Sequence, residues 1–579
     1  MRWKYIGKRK GYEIMRIISY LKQSFYLFYL LFFFFSCASN NNTSGKLNQY
    51  EDLINIFEKF KLIQKTTIVN GVPDYSVKTM LKQKKMLDNI QEQLNSIDTS
   101  GWLNTQRIEY HLVKAEMHGL EFYHEVLKPW SRDPGFYLQT QDGAGPTRDG
   151  YFNYDQFPIS DNELPKAKTI LDAVPIILNN AKNNLKNASG DLAYCALHYV
   201  PFEIELYERI KNMCAIHHPG LFQAAEDAMD AVIEYGNWLE LNKENMVQPA
   251  GVGKENYNWW MKNVQLVPYT WDELYDIIMR EDDRLLTTIA LERNKNRDLP
   301  ELLPASSREE HSKRKLEALN YVMEFTESES LFTVPEWIGF EEYLNGANAL
   351  AKGWNDTFVN SYVGSGETDQ WPGVRDFFHQ TADRDPLPEQ THEFIGHHLD
   401  RGYHNLDTRI IIGSERSYAI EMIRLEGWAF WLEEMMMHAG YLDSKSPRSR
   451  EIVYWQAAFR TCRAIADLKM HSNEFSLQDA IDYVAECAPN DWNIPNGPHA
   501  WYEMQTNLRY VGWHMGMVIG KLAMNQLIAE RIRQQGENFT YKQFFHDFFA
   551  AGIIPMSLVE WHITGDDKSM DFIIFDTSD

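Results

Sequence analysis

Apolar residues recur at three- and four-residue intervals over most of the chain, the spacing that places them on one face of a helix. Leu87–Leu112 shows this pattern with an interruption near Ser100-Gly101. Thr270–Glu273 reads TWDE, a capping box whose Thr hydroxyl and Glu carboxylate each satisfy a free backbone N–H. It predicts a helix that runs past Leu285 and stops before the polar, Pro-containing run Asn294–Ser307.

Strand patterns are weak, and the two best candidates are Phe358–Val363 and Thr408–Gly413. The chain has 579 residues, enough for a large core. Aromatic residues make up 13% of it, which favours helices with wide buried faces. We therefore predict a mainly α, large multi-helix fold with little β-structure. A soft boundary lies in Asn294–Ser307 or near Pro335. With the boundary near Pro335, an N-terminal helical region, 47–335, precedes a second helical region, 336–579.

The N-terminal segment predicts export and a lipid anchor. Phe25–Phe35 is an unbroken apolar run that follows a basic region. Its eleven residues suit the core of a signal peptide but fall short of the roughly 20 needed to span a bilayer. The Cys37 that follows resembles the end of a bacterial lipoprotein signal, which implies cleavage before Cys37 and lipidation of its thiol. The alternative is an ordinary membrane anchor that is never cleaved, and Met15 is an alternative start.

On this interpretation residues 1–36 are the signal peptide and residues 37–46 are a polar tether. The protein is then exported and attached to the bacterial membrane, on the periplasmic or the cell-surface side. The formal net charge is −24, although the first 36 residues hold seven basic residues and only one acidic residue. An acidic chain lacks the basic footprint that nucleic-acid binding needs, so we expect no nucleic-acid partner.

Four cysteines lie beyond the anchor, and none forms a CxxC pair, so a thiolate zinc site is not expected. They are Cys195, Cys214, Cys462 and Cys487. An oxidising compartment permits disulfides, and the sequence leaves their pairing open.

The most informative segment is Thr391–Asp400, THEFIGHHLD. In the common helical zinc motif the two His are four residues apart and share a face. Here His397 is five residues after His392, so on a regular α-helix the two would point about 140° apart. One extra residue in the turn, a π-bulge, restores the shared face, and Gly396 is where the backbone relaxes most easily.

Glu426 is the predicted third ligand. It lies in Ala419–Ala439, a long helical pattern followed by Gly440, a residue favoured just after a helix end. Its neighbours three and four residues away are apolar or aromatic, so its carboxylate is costly to bury without a cation or an Arg. Glu433, two turns on, shares this face and is a predicted supporting group.

These motifs resemble those of the domain-of-unknown-function 885 family, in which HExxPGHH is followed by EGWAxYxE. Those are bacterial proteins, many of them lipoprotein candidates, related in fold to helical zinc carboxypeptidases and oligopeptidases. The resemblance spans roughly residues 50 to 565 and implies one zinc ion per chain. The Pro is absent here, and the shorter HExxGH is similar to the motif of the dipeptidyl peptidase III family. We therefore favour His397 as the second ligand, with His398 as the alternative.

The implied activity is metal-assisted hydrolysis of a peptide or small amide substrate in the catalytic region 336–579. His392, His397 and Glu426 hold the zinc, and Glu393 is the general base. Asp400 is a candidate acceptor for an imidazole N–H. Gln505–Gly512 resembles the family segment QxxxYxxG, except that Arg509 occupies the place of the Tyr and Tyr510 follows one residue later. Arg509 and Tyr510 are therefore the candidate oxyanion donors, with His514 as a third choice.

Two other functions remain compatible with this sequence. The first is a catalytically inactive binding or structural lipoprotein that keeps the metal for stability. The presence of Glu393 speaks against it, because a purely structural site has no need of a general base. The second is a hydrolase of a non-peptide amide, which requires the same zinc and base.

Overall fold

A computed structural model describes residues 49–139, 157–335 and 377–574 of the chain. Its described residues are mainly helical, as predicted. Seventeen α-helices of eight residues or more lie in these ranges. In chain order they are α1 Tyr50–Ile63, α2 Val77–Asn95, α3 Asn104–Phe122, α4 Leu164–Asn184, α5 Gly190–His217, α6 Phe222–Asn242, α7 Lys254–Asn263, α8 Trp271–Lys295, α9 Arg308–Ser328, α10 Phe377–Arg384, α11 Met422–His438, α12 Ser449–His471, α13 Leu477–Glu486, α14 Pro498–Asn507, α15 Trp513–Gln535, α16 Tyr541–Ala551 and α17 Met556–Thr564.

Two π-helices, four short α-helices and six 3₁₀ turns among the described residues connect these elements. The π-helices are Tyr123–Leu127 and Thr391–Leu399, and the short α-helices are Pro129–Arg132, Leu387–Gln390, Asp400–Asn405 and Asp571–Ile574. The 3₁₀ turns are Pro134–Tyr137, Pro219–Leu221, Lys243–Asn245, Pro489–Asp491, Gly536–Asn538 and Asp567–Met570. No helix among the described residues is long and apolar enough to cross a membrane.

The local helix signals are confirmed. The interruption near Ser100-Gly101 separates α2 from α3. The Thr270 hydroxyl accepts the Glu273 N–H at 3.4 Å, and the Glu273 carboxylate accepts the Thr270 N–H at 2.8 Å, so the capping box begins α8. Helix α11 ends before Gly440, whose φ of 97° is a conformation that favours glycine.

The strand prediction at Thr408–Gly413 is wrong, because this segment forms turns. Gly413 N donates to Arg409 O at 3.0 Å, a local bond that folds the segment back instead of extending it. The described strands are instead β1 Ile68–Val69 and β2 Val72–Pro73, an antiparallel hairpin closed at Asn70-Gly71. Phe358–Val363 lies outside the described residues, as do the signal peptide, 1–36, and the tether, 37–46, with Cys37.

Helix α12 lies at the centre of the C-terminal half. Almost every side chain along it is buried, including Arg460, Arg463 and Asp467. A helix buried all round needs partners for its charged groups, and these charges are the ones that organise the candidate site. A disulfide joins Cys462 on α12 to Cys487, just after α13, whereas Cys195 and Cys214 are free and buried.

The described residues belong to one compact unit, Asn48–Asp579. It includes helices from both predicted regions, and the boundary at 335/336 stays a prediction.

Candidate metal centre

The predicted distortion of the motif helix is present. Thr391–Leu399 is a π-helix of nine residues, longer than the single bulge that the spacing requires. Residues five apart fall on the same side of a π-helix, so His392 and His397 face each other. Their Nε2 atoms are 3.0 Å apart. Gly396 allows the π-helix to pack closely against α11, since a Cβ on this residue would lie 2.5 Å from Ala429 Cβ.

Glu426 completes a group of three buried or half-buried ligand atoms. Its Oε2 lies 3.7 Å from His392 Nε2 and 3.6 Å from His397 Nε2. Two ligands about 2.0–2.1 Å from a tetrahedral zinc ion are about 3.3 Å from each other. The three separations bracket that value, so the donor set and its spacing fit a zinc ion.

The geometry favours His397 over His398 as the second ligand. His398 is not among the three clustered residues, and its ring stacks on Phe394 at a centroid distance of 5.5 Å. His397 is the one that joins His392 and Glu426 in the cluster.

His392 is held by a buried ion pair. Glu433 Oε1 lies 2.8 Å from His392 Nδ1. The same carboxylate accepts from Arg460 through Oε1 at 2.6 Å and through Oε2 at 3.2 Å. A carboxylate on the far nitrogen fixes the ring orientation and leaves Nε2 for a metal. Glu433 therefore has the supporting position that the sequence predicted for it.

The electrostatics of the cluster attract positive charge. Burial and the Arg460 cation lower the pKa of His392, but hydrogen bonds to Glu426 and Glu433 outweigh them and raise it to about 9. Burial raises the pKa of Glu426, and the two imidazoles outweigh this effect and hold the pKa well below its usual range. A proton or a divalent cation placed among these three groups is therefore stabilised.

Glu393 is exposed beside this buried cluster. Burial lowers the pKa of Arg460, and the carboxylates of Glu433, Glu426 and Glu393 oppose that effect. Glu393 and Glu426 are therefore both within electrostatic reach of the same guanidinium. An exposed carboxylate next to a ligand His can exchange protons with water, as a general base requires.

The positions of Arg509 and Tyr510 do not support their predicted role as oxyanion donors, and the position of Asp400 does not support its predicted role as an imidazole acceptor. Arg509 forms a buried ion pair with Asp133, with Nε 2.8 Å from Oδ2. Arg509 and Tyr510 line a cavity whose wall contains neither His392, His397 nor Glu426. Asp400 is also buried, and it pairs with Arg424 instead of an imidazole.

The sequence did not predict the role of Arg460, nor a second buried network that joins Arg463, Glu503 and His514. Arg463 on α12 donates to Glu503 at 2.5 Å and lies 3.1 Å from His514 Nε2. Burial lowers the pKa of His514, and the charge of Glu426 is among those that oppose this effect. His514 Nε2 also lies 2.5 Å from Glu503 Oε2, so this imidazole belongs to the network. The presence of Arg and Asp in the otherwise largely apolar helix 449–471 could have indicated these buried ion pairs.

Fold and site together define a mainly helical protein with a buried His₂Glu cluster. Residues 390–563, which contain all three candidate ligands, match a family model described as bacterial protein of unknown function (DUF885). No curated protein matches the chain.

Two solved structures, both described as putative lipoproteins, share the fold. The first, of unknown function and from Shewanella oneidensis, is 14% identical with a TM-score of 0.67, over 89% of this chain and 100% of its own. The second, from Colwellia psychrerythraea, is 15% identical with a TM-score of 0.61, over 90% of this chain and 99% of its own.

Proposed function

We propose that this protein is a zinc-dependent hydrolase of peptide or related amide bonds. The observation that carries the proposal is the convergence of His392 Nε2, His397 Nε2 and Glu426 Oε2 at 3.0–3.7 Å from one another. Two imidazoles and one carboxylate are a donor set of catalytic zinc sites, in which the fourth position stays open. The exposed Glu393 supports a catalytic over a purely structural site.

The metal ligands, Glu393 and the pair of Glu433 and Arg460 have different roles in the proposed reaction. A zinc ion, when bound, supplies a Lewis acid that lowers the pKa of a water molecule and polarises the scissile carbonyl. Glu393 accepts the proton of the attacking water and passes it to the leaving amine. Glu433 and Arg460 keep the His392 ring in place, so that its Nε2 stays directed at Glu426 and His397.

Negative charge that develops on the substrate oxygen needs a donor. Arg509 is committed to Asp133, and Tyr510 lines the other cavity. His514 is engaged at both ring nitrogens, since its Nε2 lies 2.5 Å from Glu503 Oε2 and its Nδ1 lies 2.6 Å from Asn507 Oδ1. None of these three positions supports an oxyanion donor, so none of the three residues is assigned that role.

Metal analysis tests the proposed site. The purified protein should hold about one zinc ion per chain. His392→Ala and Glu426→Ala should each lose most of it, because each removes one of three ligands. His398→Ala is the matched control and should keep the metal, since that ring stacks on Phe394. Wild-type zinc content in Glu426→Ala would remove this residue from the set of ligands, and zinc loss in His398→Ala would reverse the choice of His397.

The lipid anchor is proposed separately, and Cys37 lies outside the described residues. Cys37→Ser should abolish incorporation of labelled fatty acid and release the protein from the membrane, because serine cannot form the thioether. Ser44→Ala, in the same tether, should leave labelling intact. Equal labelling of Cys37→Ser and wild type would show that the thiol is not the point of attachment.

A further inference from the structure

A second cleft, distinct from the metal cluster, combines arginine and tryptophan side chains. Its volume is about 570 Å³, within the range of small-molecule pockets. Four arginines line it, and two carboxylates accompany them. The arginines are Arg293, Arg297, Arg384 and Arg448, and the acidic residues are Glu301 and Glu451.

The two carboxylates are already engaged by one of the four arginines. Arg448 lies 3.0 Å from Glu301 and 3.2 Å from Glu451. Arg297 contacts the exposed Asp298 at 3.6 Å. Among the described residues, no carboxylate lies within ion-pairing distance of Arg293 or Arg384. The cleft therefore carries uncompensated positive charge in a chain whose net charge is −24.

These two guanidinium groups are held by aromatic rings. Arg384 lies over the ring of Trp492 at 4.1 Å, and Arg293 lies over Trp455 at 5.7 Å. The two tryptophans contact each other edge to face at 5.4 Å. A guanidinium that lies over an aromatic face can still use its in-plane N–H groups, and a carboxylate or phosphate can accept two of them.

Arg384 uses only one of its three guanidinium nitrogens as a hydrogen-bond donor within the described part of the chain. Its Nη1 donates to Gln380 O at 2.7 Å and to Gln380 Oε1 at 2.9 Å. Its Nε and Nη2 make no hydrogen bond within the described part of the chain, and neither is buried. Arg293 Nη2 donates a hydrogen bond to Asn490 Oδ1 at 2.5 Å. The cleft thus offers unused, oriented cationic donors at its tryptophan wall.

We infer that this cleft binds a small organic anion, with its carboxylate or phosphate held by Arg293 and Arg384. The lining also contains the apolar segment Leu302–Pro304, so the ligand also carries an apolar body. The cleft is several times larger than a bare inorganic anion requires. This inference does not depend on the proposed hydrolase activity.

Isothermal titration with three probes tests the inference. Phenyl phosphate and benzoate each join an anion to an apolar ring, and inorganic phosphate supplies the anion alone. We expect saturable binding of at least one aromatic anion, more tightly than inorganic phosphate. Phenyl phosphate alone would indicate a phosphate ligand, and benzoate a carboxylate ligand.

The double variant Arg293→Gln/Arg384→Gln should bind the preferred probe at least about tenfold more weakly, because charged hydrogen bonds are lost. Arg280→Gln is the matched control, an exposed arginine on the same helix α8 that lines a different cleft. Unchanged melting temperatures confirm that both variants fold. Equal binding by the double variant, absence of saturable binding, or inorganic phosphate binding as tightly as the aromatic anions would each overturn the inference.

Discussion

Replacement of Glu393 by Gln should reduce the rate of peptide hydrolysis at least about 100-fold, the usual contribution of a general base. Gln keeps the size of the side chain and its hydrogen bonding but cannot accept the proton of the attacking water. Glu393 is exposed and is not one of the three clustered ligands, so the variant should fold and retain its zinc. The measurement is cleavage of a mixed peptide library read by mass spectrometry, with zinc content determined in parallel.

Glu389→Gln provides the matched control for this experiment. Glu389 lies one turn before Glu393 and contacts Lys315 at 3.7 Å, so the same chemical change occurs outside the cluster. It should leave the rate close to that of wild type. Equal rates for wild type and Glu393→Gln would exclude the hydrolase function, whatever the zinc content. If only a non-peptide amide is cleaved in a Glu393-dependent way, the mechanism holds and the substrate class changes.

The central geometry of the candidate site was predictable because it follows from spacing. Two His five residues apart cannot share a face of an α-helix, so the sequence either forbids chelation or requires a π-turn. The structure has the π-turn at Thr391–Leu399. A carboxylate in an apolar stripe requires a partner, and that argument predicted Glu426, which lies beside the two His in the structure. Glu433 was predicted because it shares the same helix face.

The partners that come from other helices were not predictable in this way. Glu433 is 27 residues before Arg460 in the sequence, and their contact depends on how α11 packs against α12. Arg509 was predicted from a segment that resembles one of the family, and Asp400 from its place just after the motif. Their partners, Asp133 and Arg424, are 376 and 24 residues away, and no local pattern reveals such pairs.

The second large effect is expected where α11 and α15 pack closely, at Gly427. A Cβ at this position would lie 2.2 Å from Gly520 Cα and 3.0 Å from Lys521 N, both backbone atoms. Backbone cannot move aside as a flexible side chain can, so Gly427→Ala must push the two helices apart. Overpacking of this kind costs about 3 kcal/mol, and the better helix propensity of Ala returns about 1 kcal/mol.

Gly427→Ala should therefore lower the free energy of unfolding by about 2 kcal/mol, measured by guanidinium denaturation. Because Glu426 is the preceding residue on α11, the same displacement should shift its carboxylate and weaken zinc binding by about tenfold or more, as loss of supporting contacts does. Gly220→Ala is the control, since a Cβ there meets no atom within 4 Å and its stability should stay within about 0.5 kcal/mol of wild type. Wild-type stability and zinc affinity in Gly427→Ala would show that this glycine contact does not position Glu426.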